Sequence, residues 1–197
     1  LPKGRQNRVL PVMKLGTDDE MLSVCCSMND QDELVLASKD GFGYRMQLDQ
    51  IPASQAKSKG VNGMKLANGD EISAALIADE NYIVIMADDG QVKRTPCADI
   101  ACLNRPAKGN MLFKKIKSHP LHIQSALSVS MSEPIQFVSS EIEEIKGSEI
   151  PKMSSAQTFS SAMADRGFVQ WLQPIRRLEE GSWPNETVSA AKDEPKQ

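Results

Sequence analysis

A repeat of about 50 residues constrains the fold more than any other feature of the sequence. The tripeptide Met13-Lys14-Leu15 returns 51 positions later as Met64-Lys65-Leu66. Each copy continues with an acidic turn, an apolar stretch and a second apolar run that ends in an Asp-Gly turn, at Gly41 and then at Gly90. Repeats of this length are typical of solenoids and propellers, because one unit cannot bury its apolar faces without a neighbour.

Two weaker copies follow. Lys108-Gly109 repeats Lys59-Gly60 at a spacing of 49, and Ile135-Gln136-Phe137-Val138 predicts the strand before a turn that has lost its glycine. Residues 163–169 resemble residues 86–92, which places Gly167 in a turn equivalent to those of Gly41 and Gly90. The predicted units are residues 8–53, 54–104, 105–153 and, in part, 154–178.

The repeat indicates an all-β fold. Short β-branched runs alternate with Asp-Gly turns, which favour hairpins because their backbone requires a positive φ. Each unit holds about four strands, the content of one propeller blade, so we predict antiparallel sheets of about four strands around one axis. The alternative is a β-sandwich whose hairpins are similar by accident.

Charge is distributed unevenly along the chain. The net charge is −3, but residues 179–197 hold five acids and two lysines, so the rest is neutral. This acidic, proline-containing segment predicts a disordered tail. Basic residues concentrate in three stretches without acids, residues 1–15, 55–66 and 105–117, which are the links between units.

These basic links predict a rim that contacts the phosphates of duplex DNA, at positions that recur once per blade. Few aromatic residues and no recognition helix are present, which argues against base stacking and sequence-specific reading. The alternative is that the lysines are solvated loop residues. The candidate DNA-binding residues are Arg5, Arg8, Arg45, Lys57, Lys59, Lys65, Lys93, Arg94, Arg105, Lys108, Lys114, Lys115 and Lys117.

No catalytic or metal-binding motif stands out. His119 and His122 have metal-compatible spacing but no third ligand nearby in sequence, and the four cysteines lack the paired spacing of a zinc ribbon. Cys25 lies in an apolar stretch and is predicted to fill the core. We therefore expect no catalytic residue, no metal and no membrane span in this domain.

The sequence also resembles a known family. The phrase from Ser58 to Leu66, with Gly69-Asp70-Glu71 after it, is similar to the repeat of the C-terminal domains of gyrase and topoisomerase IV A subunits. The resemblance covers roughly residues 8–178 and implies a β-pinwheel, a propeller-like disc whose blades exchange strands. Residues 55–60 stand where gyrase carries a longer glycine-rich box, so the chain is more similar to topoisomerase IV.

The resemblance implies a function and its partners. A basic perimeter would bind and bend double-stranded DNA and present a segment to the catalytic core of the same polypeptide, for decatenation and supercoil relaxation. The whole bacterial, cytoplasmic and nucleoid-associated enzyme would also use an ATPase B subunit, ATP and Mg²⁺. The family has five or six blades, so three units and part of a fourth, without an initiator methionine, predict a segment of a longer protein.

Two rival functions remain open. The first is the DNA-wrapping domain of gyrase, which differs in the closing box. The second is a propeller that serves as a protein-interaction platform, whose binding would resist salt.

Overall fold

Ten short strands account for most of the regular structure in the described part of the chain. The computed structural model describes residues 11–27, 29, 31–78, 81–132, 134–138, 142–160 and 171–174. The strands are β1 (Glu33–Ser38), β2 (Phe42–Gln47), β3 (Ile72–Ile77), β4 (Tyr82–Ala87), β5 (Val92–Pro96), β6 (Asn110–Met111), β7 (Ile123–Val129), β8 (Pro134–Val138), β9 (Ile142–Lys146) and β10 (Trp171–Pro174). Short 3₁₀ turns follow β2, β5 and β9, at Leu48–Gln50, Cys97–Asp99 and Gly147–Glu149.

Each of the first three units is built on one antiparallel hairpin. In the first two hairpins the glycine of the Asp-Gly turn adopts a positive φ, 92° at Gly41 and 83° at Gly90. The Gly41 N–H donates to Ser38 O at 2.9 Å, and the Gly90 N–H donates to Ala87 O at 3.0 Å. The two turns are therefore equivalent, as predicted, whereas Gly167 lies outside the described residues.

The hairpins form three sheets by exchanging strands between units. β3 pairs antiparallel with β1, β7 pairs with β4, and β10 pairs with β8. The first strand of each hairpin therefore accepts a strand from the following unit. The sheets have the orders β3-β1-β2-β6, β5-β4-β7 and β10-β8-β9. We call these sheets the first, second and third blade.

The position of β10 corrects the predicted alignment of the fourth unit. Matching residues 163–169 to 86–92 would place Trp171–Pro174 after a hairpin turn, in the position of β5. Instead Trp171 pairs with Val138 and Pro174 with Ile135, which is the role of β3 and β7. A turn that contains Asp and Gly also precedes the exchanged strand β3, at Gly69-Asp70, so local similarity matched the wrong turn.

Two apolar clusters join successive blades. Val35 and Ala37 of the first blade pack with Ile83 and Ile85 of the second. Val84 and Met86, on the opposite face of the second blade, pack with the third blade through residues that include Ile135 and Phe137. Alternating residues of β4 thus contact two different neighbours, because side chains of a strand point to opposite faces. The architecture confirms an all-β pinwheel.

The first apolar stretch of the chain behaves differently from its later copies. Residues 21–26 correspond to β3 in the repeat, but the structure assigns them no strand, and Cys25 is exposed. The prediction that Cys25 fills the core is therefore wrong. A core position at this point requires a partner hairpin, and the described residues contain none for this segment.

Candidate nucleic-acid interface

The links between units contact one another in chain order. Met13 forms a parallel bridge with Ser58, and Met64 forms one with Ala107. The Lys14 N–H donates to Ser58 O at 2.9 Å, and the Lys65 N–H donates to Ala107 O at 2.8 Å. Consecutive links therefore lie side by side, which brings their lysines onto adjacent segments.

Seven predicted DNA-binding residues are exposed on these links. They are Lys57, Lys59, Lys65, Lys108, Lys114, Lys115 and Lys117.

Lys59 and Lys108 are each followed by a glycine with positive φ, 76° at Gly60 and 78° at Gly109, so the two lysines occupy equivalent positions. An ideal Cβ at Gly109 would lie 2.4 Å from Gly43 O, which fixes this link close against β2. Glycine is therefore required where the link approaches the hairpin.

Two of the lysines lie over one aromatic ring. Lys108 Nζ lies 4.1 Å from the centroid of the Phe42 ring, and Lys115 Nζ lies 5.9 Å from the same centroid. A ring face attracts ammonium groups, so Phe42 gathers two lysines of one link over the first hairpin. The sequence did not reveal this pairing, because Phe42 is more than 60 positions from either lysine.

The predicted DNA contacts at Lys93 and Arg94 are wrong, because both side chains are buried, with 0% and 6% exposure. Lys93 Nζ donates to Ser154 O at 3.0 Å and to Gln157 O at 3.1 Å. Burial lowers the pKa of the Lys93 ammonium to about 8. The Lys93 side chain thus attaches the link that follows β9 to β5 and does not reach solvent.

Arg45 and Arg94 perform the same structural task in successive blades. Arg45 Nε donates to Ile100 O at 2.9 Å, and Arg94 Nε donates to Ile150 O at 3.1 Å. Arg45 also forms an ion pair with Glu33, whose hydrogen bond raises the arginine pKa. Arg45 therefore leaves the candidate DNA-binding set together with Arg94.

Arg105 is also held by backbone carbonyls. Its Nε donates to Gln50 O at 2.7 Å and its Nη1 donates to Asn62 O at 3.1 Å, so it joins three parts of the chain. Arg5 and Arg8 lie outside the described residues. The repeat itself contained a signal for Lys93: the equivalent position is Tyr44, a residue that favours the interior when its hydroxyl has a partner.

Sequence reasoning missed one exposed basic residue on the fourth link. Lys152 is exposed, its backbone bridges to Arg94, and its Nζ lies 5.8 Å from the centroid of the Tyr82 ring. Lys152 was missed because the candidate links were chosen as basic stretches without acids, and acidic residues such as Glu149 come just before it.

The acidic residues of the turns line a groove, and the two histidines each contact an aspartate. This groove is lined by acidic turn residues together with Lys39 and Leu66; the acidic residues are Asp18, Asp19, Glu20, Asp70 and Glu71. His122 Nδ1 lies 3.1 Å from Asp88 Oδ2, and His119 Nε2 lies 3.0 Å from Asp89 Oδ2.

Within the described ranges, no group of three or more His, Cys, Asp or Glu side chains is arranged so that it could hold a metal ion. No helix in those ranges has the length and apolar character that a membrane crossing requires.

Comparisons with known proteins agree with the fold. A family model for the DNA gyrase C-terminal domain, a β-propeller, matches residues 32–79 and 81–118. The crystal structure of the C-terminal domain of DNA topoisomerase IV superposes with a TM-score of 0.75 at 22% identity, covering 83% of this chain and 52% of that one. A DNA gyrase A C-terminal domain gives 0.76 at 22% identity, covering 84% of this chain and 57% of that chain.

Similar sequences come from whole topoisomerase polypeptides. The A subunit of DNA topoisomerase 4 from Streptococcus pyogenes serotype M1 is 25% identical over 87% of this chain, and the match spans 21% of that protein. The A subunit of DNA gyrase from Borreliella burgdorferi is 29% identical over 70% of this chain and 17% of that protein. The chain thus covers about a fifth of the length of these relatives.

The blades, the exchanged strands and the matched repeat define a β-pinwheel of the gyrase C-terminal type. In the matched repeat, in sequence and in fold, the chain is similar to the C-terminal domains of topoisomerase IV and gyrase A subunits.

Proposed function

We propose that this domain binds duplex DNA without sequence preference and bends it through the exposed lysines of its links. The observation that carries the proposal is that consecutive links lie side by side, so lysines such as Lys59, Lys65 and Lys108 are offered on neighbouring segments. Duplex DNA carries one charge per roughly 1.7 Å of axis, so a strip of ammonium groups can meet successive phosphates.

The domain would then deliver DNA to the rest of a bacterial enzyme. In a whole topoisomerase of the topoisomerase IV kind, a bent segment held by this domain would be presented to the catalytic core of the same polypeptide for strand passage. Cleavage chemistry, the ATPase B subunit, ATP and Mg²⁺ would belong to other parts of that enzyme, which would work in the cytoplasm on the nucleoid during chromosome segregation. The domain itself would contribute positioning only.

The test is a charge reversal with a matched control. We expect Lys59→Glu with Lys108→Glu to weaken binding to all duplex sequences alike, measured by fluorescence anisotropy across a salt series. The slope of log K against log salt should become shallower by roughly 0.9 for each phosphate that the protein no longer neutralises. Lys146→Glu makes the same type of change at an exposed residue of β9, away from the links, and should leave that slope unchanged.

Two outcomes would redirect the assignment. If the double variant binds duplex DNA as tightly as the wild type at every salt concentration, the lysines are solvated surface and the protein-interaction platform becomes the better hypothesis. In the whole enzyme, the proposal requires decatenation to fall while basal DNA cleavage survives. Negative supercoiling of relaxed circles would instead favour the gyrase alternative.

A further inference from the structure

The residues that follow the third link differ from their two earlier copies in charge and in length. Residues 15–20 and 66–71 hold three and two acids, no lysine and no arginine, and each stretch has six residues. The corresponding residues of the third unit, 115–122, hold two lysines and no acid, and they number eight. We call residues 115–122 the basic turn. Because a six-residue acidic turn is enough to connect a link to the next strand, the third copy indicates an additional role.

An exposed isoleucine stands between the two lysines of the basic turn. Residues 114–120 are all exposed, whereas Phe113 before them and Leu121 after them are buried. Ile116 is 41% exposed, with Lys115 and Lys117 on either side of it in the sequence. A single exposed aliphatic side chain is ordinary on a protein surface. One that stands among ammonium groups offers a partner both apolar contact and positive charge.

The basic turn is held on two sides, so Ile116 is presented on a braced loop. The His119 N–H donates to Ile116 O at 3.2 Å, which closes a tight turn over residues 116–119. His119 Nε2 lies 3.0 Å from Asp89 Oδ2, in the turn of the second hairpin. The Lys114 N–H donates to Gln157 O at 3.2 Å, in the link that follows β9. A side chain that must enter a ligand at a defined point needs this kind of support.

The basic turn continues the strip of exposed link lysines. Lys115 Nζ lies 5.9 Å from the centroid of the Phe42 ring, and Lys108 Nζ lies 4.1 Å from the same centroid. Lys115 thus joins the basic turn to the third link, and Ile116 stands beside the proposed path of the DNA. Proteins that kink DNA frequently insert an apolar side chain between base pairs from the minor groove.

We propose, on the basis of the DNA binding proposed above, that Ile116 is a wedge that enters the minor groove and partly unstacks one base step. The lysines around it hold the duplex, and the wedge fixes the point at which the duplex bends. Unstacking costs less at weakly stacked or mispaired steps, so the domain prefers a deformable step without reading any base. In the earlier turns, carboxylates follow the exposed Leu15 and Leu66 and repel phosphates, so those leucines do not serve the same purpose.

An anionic membrane surface is the other partner that a basic turn with an exposed apolar residue could attract. Binding in the membrane interface requires a large apolar face opposite the charged one. Among residues 114–120, Ile116 is the one large apolar side chain that is exposed. The duplex is therefore the better partner, because a wedge needs only one such side chain.

The experiment compares two duplexes of about 30 base pairs that differ only in a pair of adjacent T·T mismatches at the centre of one of them. In fluorescence anisotropy, the wild-type chain should bind the mismatched duplex at least about fivefold more tightly, because mispairing has already weakened the stacking that the wedge must break. Ile116→Asn should reduce this ratio to about twofold or less, whereas Ile116→Leu should keep it. The salt slope on the paired duplex should be the same in both variants as in the wild type, because neither removes a charge.

The matched control is Leu66→Asn. It makes the same type of change at a residue that is also 41% exposed but stands in an acidic turn. The ratio of the two affinities should stay at the wild-type value. An equal loss of the ratio in Leu66→Asn and Ile116→Asn overturns the wedge.

The remaining outcomes separate the wedge from the DNA binding on which it rests. If the wild type binds the two duplexes equally, or if Ile116→Asn keeps the full ratio, the wedge is wrong and the lysines alone hold the DNA. If the wild type binds neither duplex, the DNA binding fails and the wedge fails with it. If the chain has no mismatch preference but sediments with phosphatidylglycerol vesicles, and Ile116→Asn abolishes that sedimentation, the basic turn binds lipid and the wedge is overturned.

Discussion

The first and second blades are copies of one unit, yet they use equivalent positions differently. The second blade is packed on both faces, and its Ile85 is fully buried, whereas the equivalent Leu36 borders a groove. At another equivalent pair, Tyr44 and Lys93 are both fully buried and both donate to carbonyls of a following link. At equivalent positions of the repeat, the side chain thus keeps its direction even where the residue type changes.

The largest expected effect concerns packing. Ile85→Ala should lower the free energy of unfolding by about 4 kcal/mol, because it opens a cavity between two blades. Leu36→Ala should cost about 2 kcal/mol, since the groove beside it lets the neighbours relax. Urea denaturation of the two variants measures the difference. Equal losses would mean that the face of the first blade is closed in solution.

The glycines of the links give the next effect. Gly109→Ala should cost about 3 kcal/mol, because it adds a backbone clash with Gly43 to the strain of a positive φ. Gly60→Ala should cost only about 1 kcal/mol, because the nearest atom to its Cβ is Met13 Cε at 3.8 Å. Thermal denaturation of both variants is the measurement. A larger loss at Gly60 would show that the second link is packed more tightly than described.

The pair Tyr44 and Lys93 should respond to pH in opposite directions. Burial lowers the pKa of Lys93 to about 8, so the unfolded chain binds more protons and stability rises between about pH 8 and 10.5. Burial raises the pKa of Tyr44 above its usual value of 10, so its contribution falls as the pH rises above 10.

Lys93→Met should remove the first slope and Tyr44→Phe the second, measured by denaturant titration from about pH 7 to 11. A Lys93→Met chain whose stability still follows the wild-type curve across the lower half of that range would contradict the buried ammonium.

The smallest effect is expected where equivalent positions carry exposed hydrogen-bonded pairs of side chains. Lys39 Nζ lies 2.8 Å from Glu71 Oε1 with side chains 51% and 66% exposed, and the equivalent pair in the second unit is Asp88 with His122. Because solvent screens such pairs, neither Glu71→Gln nor Asp88→Asn should change the unfolding midpoint measurably at about pH 7. A clear loss in only one variant would mark a real difference between the two turns.

The sequence predicts what is local and repeated. Strand positions and the glycine turns at Gly41 and Gly90 follow from alternation and from positive φ, which leave a mark within a few residues. The burial of Lys93 does not, since its acceptors Ser154 and Gln157 lie 61 and 64 positions away. The contacts of Lys108 and Lys115 with Phe42 also join residues that are far apart in sequence, so no local pattern predicts them. The hydrogen bonds from Arg105 to backbone carbonyls are equally invisible in the local sequence.

Strand exchange also sets the order in which a nascent chain can complete its blades. The β1–β2 hairpin is complete once the ribosome has added Gln47. Its sheet gains β3 only after Ile77 and β6 only after Met111 have been added. At about 5–20 residues per second, the ribosome needs roughly 3 to 13 seconds to cover the distance from Gln47 to Met111. The outer edge of β1 is unpaired until Ile77 has been made, and that of β2 until Met111, so chaperones or wrong strand partners can compete for the β2 edge longest.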